Sequence, residues 1–223
     1  MVSRRLTAFA CAIALCITGT ALAPASSMAL DPILFVHGWS ENSSLWNTMI
    51  SNFEKDGYPK SYLSAYSYNT STSNKTLAET EVKSRVESLK KATGATKVDI
   101  IAHSMGSLNS RWYVKFVSGG EANVDDWVSL GGPNHGTETA NFCFSTACVE
   151  MRVGSKFLAE LNAGDETPGA VNYGTWWSPC DEIINPDSSV ALSGATNTKT
   201  ACISHVALTT DKTVYGQVRE FIK

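Results

Sequence analysis

The chain of 223 residues predicts an α/β fold in which helices cover both faces of a mostly parallel sheet of about six strands. Short apolar runs bounded by turn residues alternate with longer segments whose apolar residues recur at helical spacing. Strands joined by helical crossovers run parallel, and helices then cover both faces of the sheet. Since no internal repeat is visible, we expect one domain over residues 30–223.

Residues 1–29 have the composition of a secretory signal peptide. An arginine pair precedes an apolar stretch at 6–22, and residues 27–29 offer a cleavage site, with 23–25 as an alternative. We therefore expect a secreted monomer without stable membrane insertion. Removing the two arginines changes the formal net charge from −3 to about −5, and the absence of a basic patch argues against nucleic acid as a partner.

The first half of the mature chain predicts two strands and two helices. The apolar run 32–36 is a buried strand, and 42–54 has the apolar spacing of a helix. The aromatic-rich segment 62–68 is typical of a strand. Residues 76–93 place their apolar side chains on one helical face, and Gly94 ends that helix.

The second half continues the alternation. A strand at 97–103 leads into a helix that extends to about Val117, and 134–153 is irregular in pattern. The remaining predicted strands are 124–130, 171–177 and 199–204, and the remaining helices are 155–161 and 209–223.

Four cysteines remain after cleavage of the signal peptide, and an even number in an exported protein favours disulfides. Of the three possible pairings we expect Cys143–Cys148 together with Cys180–Cys202. No Cys-x-x-Cys pair is present, so we expect no metal site.

The segment Ala102-His103-Ser104-Met105-Gly106 lies between a predicted strand and a predicted helix. A nucleophile elbow is a turn between a strand and a helix. It has a small residue two positions before its serine and a glycine two positions after it. The flanking residues must be small because the turn is tight. Ser104 is therefore the candidate nucleophile.

A serine hydroxyl needs a base, and the base needs an orienting acid. His205 follows the last predicted strand, and catalytic groups of such sheets collect at the carboxyl ends of strands. It is the candidate base, with His135 as its rival. Asp181 follows the strand at 171–177 at the same end and is the candidate acid. Glu182 and Asp187 remain alternatives.

An oxyanion intermediate requires two backbone N–H donors. Met105 supplies one because it follows the nucleophile at the start of a helix. The turn after the first strand, His37-Gly38-Trp39, supplies the other, and we assign it to the N–H of Trp39.

These segments together resemble the lipase class 2 family of small bacterial lipases. The matching pieces include 35–39, 102–106 and 130–133, followed by Asp181 and His205 in that order. The resemblance implies a minimal α/β-hydrolase that acts on carboxylic esters, most of all triacylglycerols, without a cofactor.

Three alternatives remain open beside this interpretation: a short-chain esterase, a polyester depolymerase, and a secreted binding protein on an inactive hydrolase scaffold. The segment 134–154 is longer than in the smallest members of the family and carries Cys143 and Cys148. It forms either a rigid rim beside the pocket or a partial lid.

Overall fold

The computed structural model describes residues 30–222, so the predicted signal peptide lies outside the described residues. Its six strands form one fully parallel sheet, which confirms the predicted fold class. Their order across the sheet is β2-β1-β3-β4-β5-β6. The strands are β1 (Ile33–Val36), β2 (Leu63–Ala65), β3 (Val98–His103), β4 (Val124–Leu130), β5 (Asn172–Trp177) and β6 (Thr196–Lys199).

Helices cover both faces of the sheet. Alternate strand residues point to opposite sides, so Phe35 packs in a core with α1 and α8, whereas Val36 packs in a second core with α3, α4 and α7. A π-helical turn at Ala78–Val82 joins α2 to α3. The helices are α1 (Asn47–Lys55), α2 (Asn74–Leu77), α3 (Lys83–Thr93), α4 (Gly106–Phe116), α5 (Gly120–Asn123), α6 (Thr146–Met151), α7 (Lys156–Leu161) and α8 (Lys212–Phe221).

The direction in which the chain adds strands to the sheet reverses between β1 and β3. The chain goes from β1 outward to β2, then returns to β3 and continues to the other side. Loops after β1 and β3 therefore separate at a topological switch point, where sheets of this type open a crevice. Among residues 30–222, no helix combines the length and the apolar composition that crossing a membrane requires.

The last strand differs from the prediction. β6 spans Thr196–Lys199, whereas the sequence predicts a strand at 199–204. This edge strand is polar and mostly exposed, so it has no apolar run to reveal it. The more apolar residues that follow form a loop instead, which the disulfide Cys180–Cys202 ties to the end of β5.

The segment 134–153 is also more regular than predicted. It contains a 3-10 helix at Glu138–Phe142 and then α6, which begins after Ser145 caps its amide end. The disulfide Cys143–Cys148 closes this segment on itself. Both expected cysteine pairings are therefore confirmed.

Candidate active site

Ser104 occupies the turn between β3 and α4 with a φ of 53°, in the left-handed region that residues other than glycine rarely adopt. Its N–H donates to the carbonyl of Leu130 at 3.0 Å, which fixes the turn against the end of β4. A strained backbone persists only where the surrounding structure holds it. The turn therefore has the backbone geometry expected of a nucleophile elbow.

Two glycines explain why the residues around this turn are small. A Cβ on Gly106 would lie 2.4 Å from the carbonyl oxygen of Val36, so only glycine lets α4 pack this closely to β1. A Cβ on Gly38 would lie 2.6 Å from the Cβ of Ser104. The turn after β1 thus lies directly against the serine.

The structure brings His205 and Asp181 together. The ring nitrogen Nδ1 of His205 lies 2.8 Å from Oδ2 of Asp181. The other carboxylate oxygen accepts the N–H groups of Ile183 and Ile184, both at 2.9 Å. The disulfide Cys180–Cys202 joins the two loops, one residue before Asp181 and three before His205. An acid held this way keeps the imidazole oriented with its Nδ1 protonated.

The environment lowers the pKa of both groups. Burial raises the pKa of Asp181, but the hydrogen bond and charge of His205, together with the two N–H donors, reverse this and bring it below its ordinary value. Burial and the nearby His103 lower the pKa of His205, and they outweigh the opposite effect of Asp181. His205 is therefore suited to remain neutral, as a general base must be before it accepts a proton.

The other candidates for the acid and the base take no part in the contact between Asp181 and the His205 ring. Glu182 accepts the backbone N–H of His205 at 3.0 Å, so it holds the loop rather than the ring. Within residues 30–222, Asp187 forms no hydrogen bond to that imidazole. His135 pairs with Glu166 at 2.8 Å and does not line the cleft that contains Ser104.

Ser104 and His205 line one cleft of about 430 Å³. Within the described residues no hydrogen bond joins the Ser104 hydroxyl to the His205 ring. Catalytic hydrogen bonds are often long before substrate binds, so the shared cleft is the informative observation. The cleft is lined mainly by apolar atoms, from residues that include Trp39, Ala140, Phe142, Met151, Ile183, Ile184 and Val206.

The predicted oxyanion donors lie on either side of the serine. Met105 caps the amide end of α4, and Trp39 lines the cleft in the turn after β1. In the part of the chain described by the structure, neither amide has a protein acceptor, as an anion-binding donor requires. His37 shapes the turn: its ring stacks on Tyr68 with centroids 4.1 Å apart, and its Nδ1 lies 2.9 Å from the carbonyl of Gly38.

Sequence reasoning missed Glu41 and the contacts of the His103 ring. His103 packs its ring against His205, with centroids 4.4 Å apart, and its Nδ1 lies 3.0 Å from Glu41 Oε2. The same Glu41 oxygen accepts the N–H of Gly38 at 2.8 Å. No spacing in the sequence links residue 41 to residue 103, so only the tertiary structure reveals this contact.

The segment 134–154 supplies one wall of the cleft through Ala140, Phe142 and Met151. Phe142 and Phe144 flank Cys143 and are 86% and 84% exposed, so they project from the rim into solvent. Trp39 lines the cleft, whereas Trp46 and Trp176 are core residues.

A cluster of carboxylates lies at the opposite end of the strands. Asp31, Asp99 and Asp125 place one oxygen each within 4.8 Å of one another. The sequence showed no such cluster because the three residues come from different segments. Lys97 forms an ion pair with Asp125 at 2.6 Å, and this group lies far from the serine along the strands.

Residues 30–220 match the family model of class 2 lipases. The chain belongs to the class 2 lipase family. Membership of this family is consistent with the serine turn and the apolar cleft.

Solved structures agree with the fold of this class 2 lipase. The mature form of the Bacillus licheniformis lipase BlEst2 superposes with a TM-score of 0.77 at 16% identity, covering 91% of this chain and 96% of that one. Aspergillus fumigatus lipase B gives 0.71 at 15% identity over 83% of this chain. The match covers 51% of the Aspergillus protein, so the chain spans about half its length.

A Paleococcus ferrophilus monoacylglycerol lipase is a more distant match, with a TM-score of 0.60 at 12% identity over 86% of this chain and 94% of that one. At such identities the likeness concerns the fold alone. The shared fold is consistent with the parallel sheet of this class 2 lipase.

Proposed function

We propose that the protein is a secreted triacylglycerol lipase in which Ser104, His205 and Asp181 form a catalytic triad. The single observation that carries the proposal is the hydrogen bond from His205 Nδ1–H to Asp181 beside a cleft that also holds the serine turn. In this mechanism Ser104 attacks the ester carbonyl and His205 takes its proton. The imidazolium then protonates the leaving alcohol, and water releases the fatty acid by the reverse route.

The N–H groups of Trp39 and Met105 are proposed to bind the oxyanion. Both lie beside the serine turn and are free of protein acceptors in the described residues. Donors of this kind matter most when charge develops on the carbonyl oxygen, because they are already oriented. No residue role in this mechanism depends on a metal or cofactor.

The apolar cleft supports a lipid acyl chain as the part of the substrate that binds there. Phe142 and Phe144 project from its rim, which supports contact with a lipid–water interface. Rates measured over a series of acyl chain lengths distinguish a triacylglycerol lipase from a short-chain esterase or a polyester depolymerase.

The two disulfides support the secretion of a protein processed after residue 29, since such bonds persist in oxidising compartments. We propose that residues 30–223 act as one monomeric domain.

The decisive test replaces Ser104 with alanine. We expect Ser104→Ala to abolish hydrolysis of p-nitrophenyl esters and labelling by a fluorophosphonate probe, because the attacking hydroxyl is gone. Circular dichroism should show an unchanged fold. Turnover at the wild-type rate in this variant would refute the mechanism, and an unlabelled wild-type protein would instead favour a binding protein.

A further inference from the structure

His103 is fully buried, and both of its ring nitrogens face oxygen atoms. Nδ1 lies 3.0 Å from Glu41 Oε2, and Nε2 lies 3.1 Å from the backbone carbonyl oxygen of His205. A carbonyl oxygen can only accept a hydrogen bond, so Nε2 must carry a proton. A neutral ring would then have no proton on Nδ1, whose lone pair would face the carboxylate.

Glu41 is placed to compensate a positive charge on this ring. Its Oε2 accepts the N–H of Gly38 at 2.8 Å, so Gly38 N and His103 Nδ1 both lie within hydrogen-bond distance of one carboxylate oxygen. Burial raises the pKa of Glu41, but the hydrogen bond and charge of His103, with the Gly38 donor, bring the pKa below its ordinary value. Glu41 is therefore ionised near neutral pH. A buried cation is tolerated only when paired in this way.

We propose that His103 is a doubly protonated imidazolium in the folded protein, and that its ion pair with Glu41 positions His205 and the turn after β1 for catalysis. The charge state rests on the hydrogen-bond geometry together with an ionised Glu41, whereas the positioning role rests on the proposed function. Neither residue is proposed to react with substrate. Together they connect Gly38, beside the proposed oxyanion site, to the backbone of the proposed base.

The pair also has an electrostatic consequence for His205. The charged groups that face His205 are Asp181 at its Nδ1, Glu182 at its backbone N–H, and the His103–Glu41 pair. His37 is a further titratable neighbour, which faces His103 and Glu41. A cation whose ring lies 4.4 Å from the His205 ring disfavours a second cation there. It therefore keeps the base neutral over a wider pH range than Asp181 alone would allow.

Ring ¹⁵N chemical shifts test the charge state directly. In uniformly labelled wild-type protein near neutral pH, we expect both ring nitrogens of His103 to be protonated, with the signals assigned by their loss in His103→Gln. A single neutral tautomer would overturn the proposal. This measurement does not depend on turnover, so it remains valid even if the proposed hydrolysis fails.

Kinetics test the positioning role. Because a cation beside His205 is lost, we expect His103→Gln to move the acidic limb of the kcat/KM profile to higher pH. We also expect kcat to fall about tenfold, with KM little changed, because the base loop loses a hydrogen bond. The matched control is His135→Gln, which removes a surface histidine paired with Glu166 and should leave the limb in place. An unmoved limb in a folded His103→Gln protein contradicts the positioning role.

A second variant is available if His103→Gln does not fold. In Glu41→Gln the imidazolium loses its counter-charge, so we expect the ring ¹⁵N shifts of His103 near neutral pH to show a larger neutral fraction than in the wild type. The same ¹⁵N measurement detects this change, and unaltered His103 shifts contradict the ion pair.

Discussion

Buried carboxylates at the two ends of the sheet have pKa values shifted in opposite directions. At the carboxyl ends of the strands the pKa of Asp181 is lowered, whereas at the amino ends the pKa of Asp126 is raised to about 6 and that of Asp99 is raised well above its ordinary range. The side chain of Asp181 is 1% exposed, and the whole residues Asp126 and Asp99 are 3% and 1% exposed, so the carboxylates at both ends are shielded from solvent. Exposure to solvent therefore does not distinguish the two ends.

Hydrogen-bond donors make the difference. Asp181 accepts from His205 and from two backbone N–H groups, so its charge is compensated in place. Asp99 accepts one backbone N–H, from Asp126 at 3.2 Å, and otherwise faces other carboxylates. Burial raises a carboxyl pKa unless donors stabilise the anion, and only the end with the candidate site supplies enough of them.

The largest expected effect comes from a matched pair of Asp→Asn substitutions, one at each end. Asp181→Asn removes the charge that orients His205 in the proposed mechanism, so we expect kcat to fall by about 10³- to 10⁴-fold. Asp126→Asn removes an equally buried carboxylate away from the serine and should leave kcat unchanged. Steady-state hydrolysis of a p-nitrophenyl ester measures both.

Similar kcat values in the two variants would contradict the proposed functional difference between the two ends of the sheet. Wild-type kcat in Asp181→Asn would return Glu182 or Asp187 to consideration as the acid. A large loss of kcat in a folded Asp126→Asn protein would mean that the amino-terminal edge acts on the site at a distance.

A smaller effect is expected on stability at the acidic edge. Burial raises the pKa of Asp126 from 3.8 to about 6, so ionising this group opposes folding. This free-energy penalty is fully present at pH values above the folded-state pKa of about 6, and it is absent below the ordinary pKa of 3.8. We therefore expect Asp126→Asn to stabilise the protein by about 1–2 kcal/mol in mildly alkaline buffer.

Thermal or urea unfolding at two pH values checks whether Asp126→Asn raises the free energy of unfolding. The gain should disappear in acid below pH 3.8, where Asp126 is protonated in both states. Since the Asn172 side chain donates to the Asp126 carboxylate at 2.9 Å, an asparagine can keep that contact through its amide oxygen. A gain that is the same at both pH values would show that packing, not charge, is responsible.

The smallest effect on stability is expected at Lys97, whose positive charge partly offsets the upward pKa shifts of Asp31 and Asp126. Its ion pair with Asp125 is partly exposed, with 34% and 41% of the two side chains accessible. We expect Lys97→Gln to cost about 0.5 kcal/mol of unfolding free energy at low ionic strength. The loss should shrink in about 1 M salt, which screens such charges over a few ångströms. A loss insensitive to salt would point to packing of the lysine stem.

Local patterns were sufficient for much of the fold and for part of the candidate site. The alternation of apolar runs and helical segments predicted the parallel sheet, because strand and helix periodicities act over a few residues. Gly106, two residues after Ser104, identified the tight turn for the same reason, since a Cβ there would collide with the backbone of β1. The pairings Cys143–Cys148 and Cys180–Cys202 were also predicted correctly.

Edge strand β6 was missed because a polar exposed segment has no apolar alternation. The helices of 134–153 were missed because each has only five or six residues, too few to show a helical repeat. The assignment of Asp181 relied on the strand end that it follows, which the adjacent Glu182 shares, and it stays a prediction until the variants are measured. Sequence order narrowed the choice of acid, but only geometry distinguishes a contact with the ring from a contact with the backbone.

The sequence by itself determined the class of fold, the serine turn and the cysteine pairs, since each depends on residues close together or on an order that the sheet imposes. Only the tertiary structure decided which buried charges have partners. Glu41 meets His103 across 62 positions of the chain, and Asp99 meets Asp126 across a strand pair. Electrostatic interactions act through space, and the distances that set them exist only after the strands have come together.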